Sequence, residues 1–193
     1  MRFLKGKKNI ILASLLLFAI LHCSILFGRE QSTGVVDEAT HRAHVIAGIL
    51  HYVQWNEHNN SIQPDTISLC TFGNPISEQA LIALEGATIH EKHLTVHRQP
   101  GDPNKTNCEV VVLGEKNKAD FEDFTFYPLI VCDGCDQQSI NYAIRLIRKV
   151  AQKGIGIEVR TGFEIDLAYV RKAGVNLGSE LLVHAAVVEG MEP

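Results

Sequence analysis

The sequence lacks internal repeats and low-complexity tracts, which excludes repeat architectures and a mainly disordered chain. Aromatic residues make up only 7% of its 193 positions, and charged residues make up 21%. These proportions are ordinary for a globular protein. A chain of this length and composition buries a substantial core as one domain.

Several motifs of catalysis are also missing. The only Gly-x-Gly candidate for a phosphate loop, "GIGIEV" at 154–159, has no phosphate-binding helix signature after it. Ser77, Ser139 and Ser179 lack the G-x-S-x-G frame of hydrolases. A structural zinc site needs four ligands, and the chain has a single C-x-x-C. These absences leave hydrolysis, phosphate-loop chemistry and a structural zinc site without support, and we predict no catalytic residue, cofactor or metal site.

Histidine, in contrast, is plentiful. Grouped imidazoles bind transition metals in other proteins, but no carboxylate spacing accompanies them here, and we interpret them as scattered surface residues. Six fall on the predicted first helix and on a later hairpin: His41, His44, His51, His90, His93 and His97.

The start of the chain has the pattern of a secretory signal, and we predict a signal peptide over 1–28. A basic stretch precedes an apolar run from Ile10 to Phe27. The run is long for a signal, and about 20 apolar residues also span a bilayer, so an uncleaved N-terminal membrane anchor is the alternative. Either interpretation places the folded part outside the cytoplasm, with a flexible leader at 29–36 and a single α/β domain at 37–193.

Export changes the charge and the cysteine count. Residues 1–28 carry four cations and no anion, so 14 Lys and Arg then face 22 Asp and Glu, a net charge of −8. A surface that acidic disfavours binding to the phosphates of nucleic acid. Loss of Cys23 leaves an even set of four cysteines, which are usually paired in an oxidising compartment and allow three connectivities. They are Cys70, Cys108, Cys132 and Cys135.

The pattern of apolar residues predicts strands that alternate with helices. Short apolar runs at 66–73, 108–115 and 128–132 are typical of buried strands, and 87–99 and 154–166 suggest hairpins. The predicted fold is a layered α/β/α sandwich with a mixed, largely parallel sheet of about 5–6 strands. Helices are predicted at 37–55, 76–86, 137–152, 167–173 and 178–190, with a short one within 115–127.

The spacing of Cys132 and Cys135 fits a redox catalyst, half of a metal site or a local disulfide. A strand followed by C-x-x-C and a helix is how thioredoxin-type sites are built, because the helix N-terminus lowers the pKa of the thiol. Asp133 and Asp136 would oppose a neighbouring thiolate. A thiol-disulfide oxidoreductase is therefore the alternative function, and the local disulfide is the favoured interpretation.

The order of motifs resembles the YfiR-like family of periplasmic regulators. No single segment is specific, but four of them occur in the family's order and cover nearly the whole chain after the signal. The segments are "AHVIAGILHYVQW" at 43–55, "SLCTFGNPISEQALIALEGATIHEKHLTVHR" at 68–98, "CEVVVLGE" at 108–115 and "FEIDLAYVRKAGVNLGSELLVHA" at 163–185.

The resemblance implies a regulatory function without catalysis. YfiR-like proteins repress a membrane diguanylate cyclase of the YfiN type through its periplasmic sensor domain, and an outer-membrane lipoprotein of the YfiB type relieves that repression. The chain would then lower cyclic di-GMP synthesis and biofilm output. Family members self-associate, so a homodimer is also expected.

The resemblance also implies a disulfide between Cys70 and Cys108, because the family has a cysteine pair at the matching places. Neighbouring parallel strands can bring such positions within reach. Cys132 and Cys135 are then left for each other, although the family's second pair is spaced more widely, so the role of that pair does not transfer. A short C-x-x-C loop is often easily reduced, which suggests a periplasmic redox switch as a hypothesis.

A partner-binding surface is predicted in the C-terminal part, from Phe163 to Leu182. Acidic and apolar residues alternate along its first strand, and interface hot spots favour aromatic and arginine side chains. The simpler interpretation is an ordinary half-exposed strand and helix. The predicted contact residues are Arg160, Phe163, Glu164 and Arg171.

Overall fold

The structure is a computed structural model that describes residues 37–55, 65–99, 107–115, 127–135, 141–153 and 156–190. The predicted signal or anchor, the leader and most of the helix predicted within 115–127 lie outside these residues. The described helices are α1 (Glu38–Leu50), α2 (Glu78–Ile82), α3 (Leu167–Lys172) and α4 (Ser179–His184). The described strands are β1 (Val53–Trp55), β2 (Thr66–Phe72), β3 (Thr88–Ile89), β4 (Lys92–Arg98), β5 (Val110–Leu113), β6 (Leu129–Cys132), β7 (Ile144–Lys153), β8 (Gly156–Asp166), β9 (Val175–Leu177) and β10 (Val187–Glu189).

Helix α1 follows its N-cap, Asp37, whose carboxylate accepts a hydrogen bond from the main-chain N–H of Thr40 at 2.9 Å. The hydroxyl and N–H of Thr40 lower the pKa of Asp37. The helix was predicted to continue to Trp55 but ends at Leu50. The chain then turns into β1, which pairs with β9 in a separate two-stranded sheet.

The main sheet confirms the predicted class, because it is mixed and largely parallel. Its described strands follow the order β10-β8-β7-β6-β5-β2-β4-β3. Only β7 with β8 and β3 with β4 pair antiparallel. The sheet has eight described strands and is therefore larger than predicted. The continuous apolar strands β5 and β6 lie at its centre and are buried along their whole length.

Two predicted helices were wrong. Most of the segment 137–152 forms β7, which pairs with β8 over ten positions. Its apolar residues fit a helical period, but Ile144 and Leu146 alternate with half-buried neighbours, as a strand requires. The predicted terminal helix is split into α4 and β10, and β10 extends the sheet by pairing parallel to β8.

The sheet separates two clusters of buried side chains. The larger one contains residues of all four described helices, among them Ile46, Leu81, Val170 and Leu181. The smaller one contains all four cysteines outside the predicted signal, together with Phe72, Val111, Leu113 and Ile130. In the described parts of the chain the helices therefore pack on one face of the sheet, and these parts show no second helical layer of the predicted sandwich. None of these helices combines the length and the apolar character needed to cross a bilayer.

Candidate functional site

The carboxyl ends of β2, β5 and β6 meet at one edge of the sheet, where open α/β folds usually bind ligands. The turn after β2 has Gly73 and Asn74 at positive φ angles of 69° and 56°. It packs against Gly114, where an added Cβ would come closer than 3.0 Å to the main chain of this turn. Gly134, with a φ of 93°, forms the adjacent loop after β6. This edge therefore joins the turn after β2 to the C-x-x-C loop.

Asp133, inside the C-x-x-C, is the centre of this edge. Its carboxylate is 0% exposed. One oxygen accepts hydrogen bonds from the N–H of Ser77 at 2.7 Å and from its hydroxyl at 2.6 Å. The other accepts one from the Arg42 guanidinium at 2.7 Å. A buried carboxylate is tolerated because each oxygen has a partner and a cation balances its charge.

Arg42 connects this loop to α1. Its side chain is buried and also bonds the partly exposed Glu38 one turn earlier, at 3.0 Å. The chain Glu38–Arg42–Asp133–Ser77, called the buried ion network below, connects the surface of α1 with the loop and with the start of α2. Asp133 was expected to oppose a thiolate by its charge. That argument weakens, since Arg42 neutralises the charge.

Cys132 and Cys135 are placed at bonding distance, with Cα atoms 5.4 Å apart, which is compatible with the predicted local disulfide. They are 1% and 8% exposed. A thiol that exchanges disulfides with a substrate must be reached by that substrate, so this burial disfavours the oxidoreductase interpretation. The helix predicted to follow the motif is largely replaced by β7, as described above.

Cys70 and Cys108 are also placed at bonding distance, with Cα atoms 5.9 Å apart and 38 positions between them in the chain. Cys70 lies in β2, and Cys108 stands just before the neighbouring β5. The placement is compatible with the pairing that the resemblance implies. Beside it, the buried carboxylate of Glu109 accepts a hydrogen bond from the N–H of Ser68 at 2.8 Å. Burial raises the pKa of Glu109.

The four predicted partner residues are not equivalent. Phe163 is 9% exposed and packs in the larger core cluster, which leaves little of its ring for a partner. Glu164 is half-buried and paired with Arg145 across the β7–β8 hairpin, at 2.7 Å. Arg171 is exposed and donates hydrogen bonds to the carbonyls of Leu167 and Gly190. Arg160 is exposed on the hairpin. Surface position alone therefore leaves the two arginines as candidates for contact.

The histidines lie in separate places. His90, at a positive φ of 48°, directs its Nε2 to the carbonyl of His51 at the end of α1, and the two rings meet edge to face at 5.5 Å. His41 contacts Thr161 of β8 through its Nδ1. Within the described ranges, no group of three or more His, Cys, Asp or Glu side chains is arranged to hold a metal ion.

The predicted site residues do not include Arg42, and the sequence pattern placed Ser77 only at the start of the helix predicted at 76–86. The structure shows no hydrogen bond from the Ser77 side chain to α2; its hydroxyl bonds Asp133 instead. A signal for Arg42 was present, because it precedes Ile46, Ile49 and Leu50 on the buried side of α1. A cation on the apolar face of a helix requires a buried anion as its partner.

Comparison with known proteins agrees with the order of the motifs. The family model described as YfiR/HmsC-like matches residues 39–186. No curated protein matches the chain. The matched segment contains both cysteine pairs, the β7–β8 hairpin, and all of α1 and of the buried ion network except Glu38. The chain belongs to the YfiR/HmsC-like family.

Proposed function

We propose that this protein binds the periplasmic sensor domain of a membrane diguanylate cyclase of the YfiN type and represses it. Repression lowers cyclic di-GMP and biofilm output. The observation that carries the proposal is the family match over residues 39–186, because that family is periplasmic and regulatory. An outer-membrane lipoprotein of the YfiB type is proposed as the partner that relieves the repression, and a homodimer as the state of the free protein.

The chemistry of the sheet edge supports binding over catalysis. Catalysis needs polar groups that a substrate can reach. Here Asp133 and Ser77 are 0% exposed, and their polar atoms bond each other or Arg42. The same groups instead hold the C-x-x-C loop to the start of α2 and to α1.

The cysteines support the proposed compartment. Two pairs at bonding distance fit an oxidising environment such as the periplasm. The signal peptide or membrane anchor over 1–28 remains our proposal for how the chain arrives there.

Deletion of the gene tests the function. We expect cyclic di-GMP, measured by mass spectrometry of cell extracts, to rise in the deletion strain and to return on expression of the full chain. A chain without residues 1–28 is the matched control, since it stays in the cytoplasm and should not restore repression. Unchanged cyclic di-GMP after deletion would contradict the proposal.

An insulin-reduction assay on the purified protein distinguishes the proposed function from the alternative one. A thiol-disulfide oxidoreductase would show turnover in this assay, and a repressor would not.

A further inference from the structure

The β7–β8 hairpin extends beyond the rest of the sheet. The two strands pair from Ile144 with Ile165 out to Lys153 with Gly156. On the β7 side, β6 pairs only with Ile144 and Arg145. On the β8 side, β10 pairs only with residues 164–166. Among the described residues, the outer part of the hairpin, 147–153 with 156–162, is therefore a two-stranded ribbon with two edges; we call it the distal ribbon.

The hydrogen-bond register shows which residues face outward on β7. The N–H of Asp166 donates to the carbonyl of Ala143 at 2.9 Å, which makes Ile144 and Ile165 a pair without mutual hydrogen bonds. Because pairs with and without hydrogen bonds alternate in an antiparallel ladder, every second residue of β7 after Ile144 points its main-chain N–H and C=O away from β8. In the distal ribbon these residues include Arg148 and Val150.

Elsewhere at the edges of this sheet, two outward main-chain N–H groups are capped by side chains. On the β8 edge, the outward N–H of Thr161 donates to the Nδ1 atom of His41 at 3.3 Å. On the outer edge of β4, the N–H of Val96 donates to the carboxylate of Glu85. In the part of the chain that the structure describes, no side chain closes the β7 edge at Arg148 and Val150 in this way. The β7 edge therefore presents two successive outward residues without such a cap, whereas on the β8 edge the outward Val159 stands next to the capped Thr161.

The chemistry of this edge indicates what covers it. Val150 and its cross-strand neighbour Val159 are 65% and 43% exposed, which gives the ribbon an apolar stripe on one face. Between positions 144 and 162 there are five cations and one anion, although the whole chain carries a net charge of −4. Charged side chains often protect the edge of a sheet from pairing with another strand. An exposed valine pair beside uncapped main-chain groups instead favours the addition of a strand.

We propose that the β7 edge at Arg148 and Val150 accepts an extended acidic segment of a partner protein as an additional strand. Main-chain hydrogen bonds supply affinity in such pairing. Alternate side chains of the added strand cover the valine stripe, and the carboxylates between them lie on the other face, beside Lys149. A second copy of this chain is disfavoured as the occupant, because its β7 edge would bring further cations, Arg148 and Lys149, to an edge that already carries the same two. This edge proposal depends on the proposed function in one respect only, the identity of the partner protein.

A peptide experiment tests the edge without the cyclase. The probe is a peptide of about seven alternating Glu and Val residues, with a Lys and Val peptide as its control. We expect the acidic peptide to slow amide hydrogen exchange of Arg148 and Val150 by about tenfold at saturation, while Val159 is unchanged. Absence of protection on β7, equal protection by the lysine peptide, or protection confined to Val159 would overturn the proposal.

A matched pair of variants tests the same edge with the protein partner. Val150→Pro and Val159→Pro each remove one outward N–H from an exposed valine, on β7 and on β8 respectively. Val150→Pro should weaken binding to the purified sensor domain of the cyclase by about tenfold, as the loss of one main-chain hydrogen bond predicts, and Val159→Pro should not. Arg148→Glu should also weaken binding, because it places an anion at the edge that the acidic segment approaches. Lys92→Glu on β4 is its control, since it makes the same change of charge outside both proposed contact surfaces, and neither variant carries the risk of misfolding that proline brings.

The outcomes separate the two proposals. If gene deletion raises cyclic di-GMP but Val150→Pro and Arg148→Glu bind and repress like their controls, the edge proposal fails and the proposed function stands. If deletion changes nothing, the proposed function fails, and the peptide experiment still decides the edge. A dimer, detected by light scattering, that Val150→Pro abolishes and Val159→Pro does not would assign the edge to a second copy and overturn the acidic partner.

Discussion

The Asp133→Asn substitution replaces one oxygen of a fully buried carboxylate by an NH2 group and hardly changes its size. In the structure, one oxygen accepts two hydrogen bonds from Ser77 and the other accepts one from Arg42. The asparagine oxygen can take only one of these places. Whichever way the amide is turned, its NH2 group faces a donor, and the buried guanidinium loses the anion that balances its charge on this side.

Removal of one partner from a buried ion pair typically costs about 3–5 kcal/mol. The total stability of a domain is only about 5–15 kcal/mol, so the loss is a large share of it. With a urea dependence near 2 kcal/mol per molar, the unfolding midpoint should fall by about 2 M. Urea denaturation followed by circular dichroism, on the chain without residues 1–28, measures the change.

Two further variants make the test specific. Glu38→Gln removes the partly exposed end of the buried ion network and should cost about 0–1 kcal/mol. Arg42→Met combined with Asp133→Asn removes both buried charges, and should be less destabilising than the sum of the two single changes. A loss below about 1 kcal/mol for Asp133→Asn alone would refute the reasoning, since a buried cation without its anion cannot be that stable.

Three other changes have expected outcomes on the same assay. Glu109→Gln should raise the free energy of unfolding at neutral pH, because the raised pKa of Glu109 means that the folded state favours the protonated carboxyl. The stability of the wild type should fall as pH rises from about 4.5 through the pKa of Glu109 in the folded state, and the variant should lack this fall. Gly114→Ala should lower stability by about 1–3 kcal/mol, since its Cβ would collide with the main chain of the turn after β2, whereas Gly48→Ala in α1 meets nothing within 4 Å and should add about 0.5–1 kcal/mol. Cys70→Ser with Cys108→Ser should remove about 4 kcal/mol at most in the oxidised protein, and this difference should disappear when the wild type is reduced.

The parts of the fold that could be predicted from sequence are those with a strong local pattern. The apolar runs of β5 and β6 and the capped start of α1 need no distant information. For β7 the local pattern was ambiguous, because Ile144, Ile147 and Val150 also fit a helical period. Pairing with β8 decided it, and a pairing of that kind is a tertiary choice that a window of sequence does not contain.

The candidate site shows the same division. The C-x-x-C was visible from its spacing, but its attachment was not, because Arg42 and Asp133 are 91 positions apart. Likewise, the interface residues were chosen by residue type. Phe163 fitted the chemistry of a hot spot but lies in the core, since its position on β8 points it toward the larger cluster. Residue type suggests chemistry, whereas exposure is set by the packing of the whole sheet.

The redox-switch hypothesis for Cys132 and Cys135 has to be weighed against the buried ion network. A bond that closes so short a loop contributes only about 2 kcal/mol in the chain-entropy model, whereas loss of a partner from the buried ion pair costs about 3–5 kcal/mol. Asp133 lies between the two cysteines, so its bonds to Ser77 and Arg42 should hold the loop in place when the sulfurs are reduced. We therefore expect the Cys132→Ser/Cys135→Ser double variant to repress the cyclase like the wild type, in oxidised and in reduced cells alike. Loss of repression in that variant, with Asp133 and Arg42 intact, would show that the sulfur bond and not the ion network positions the loop.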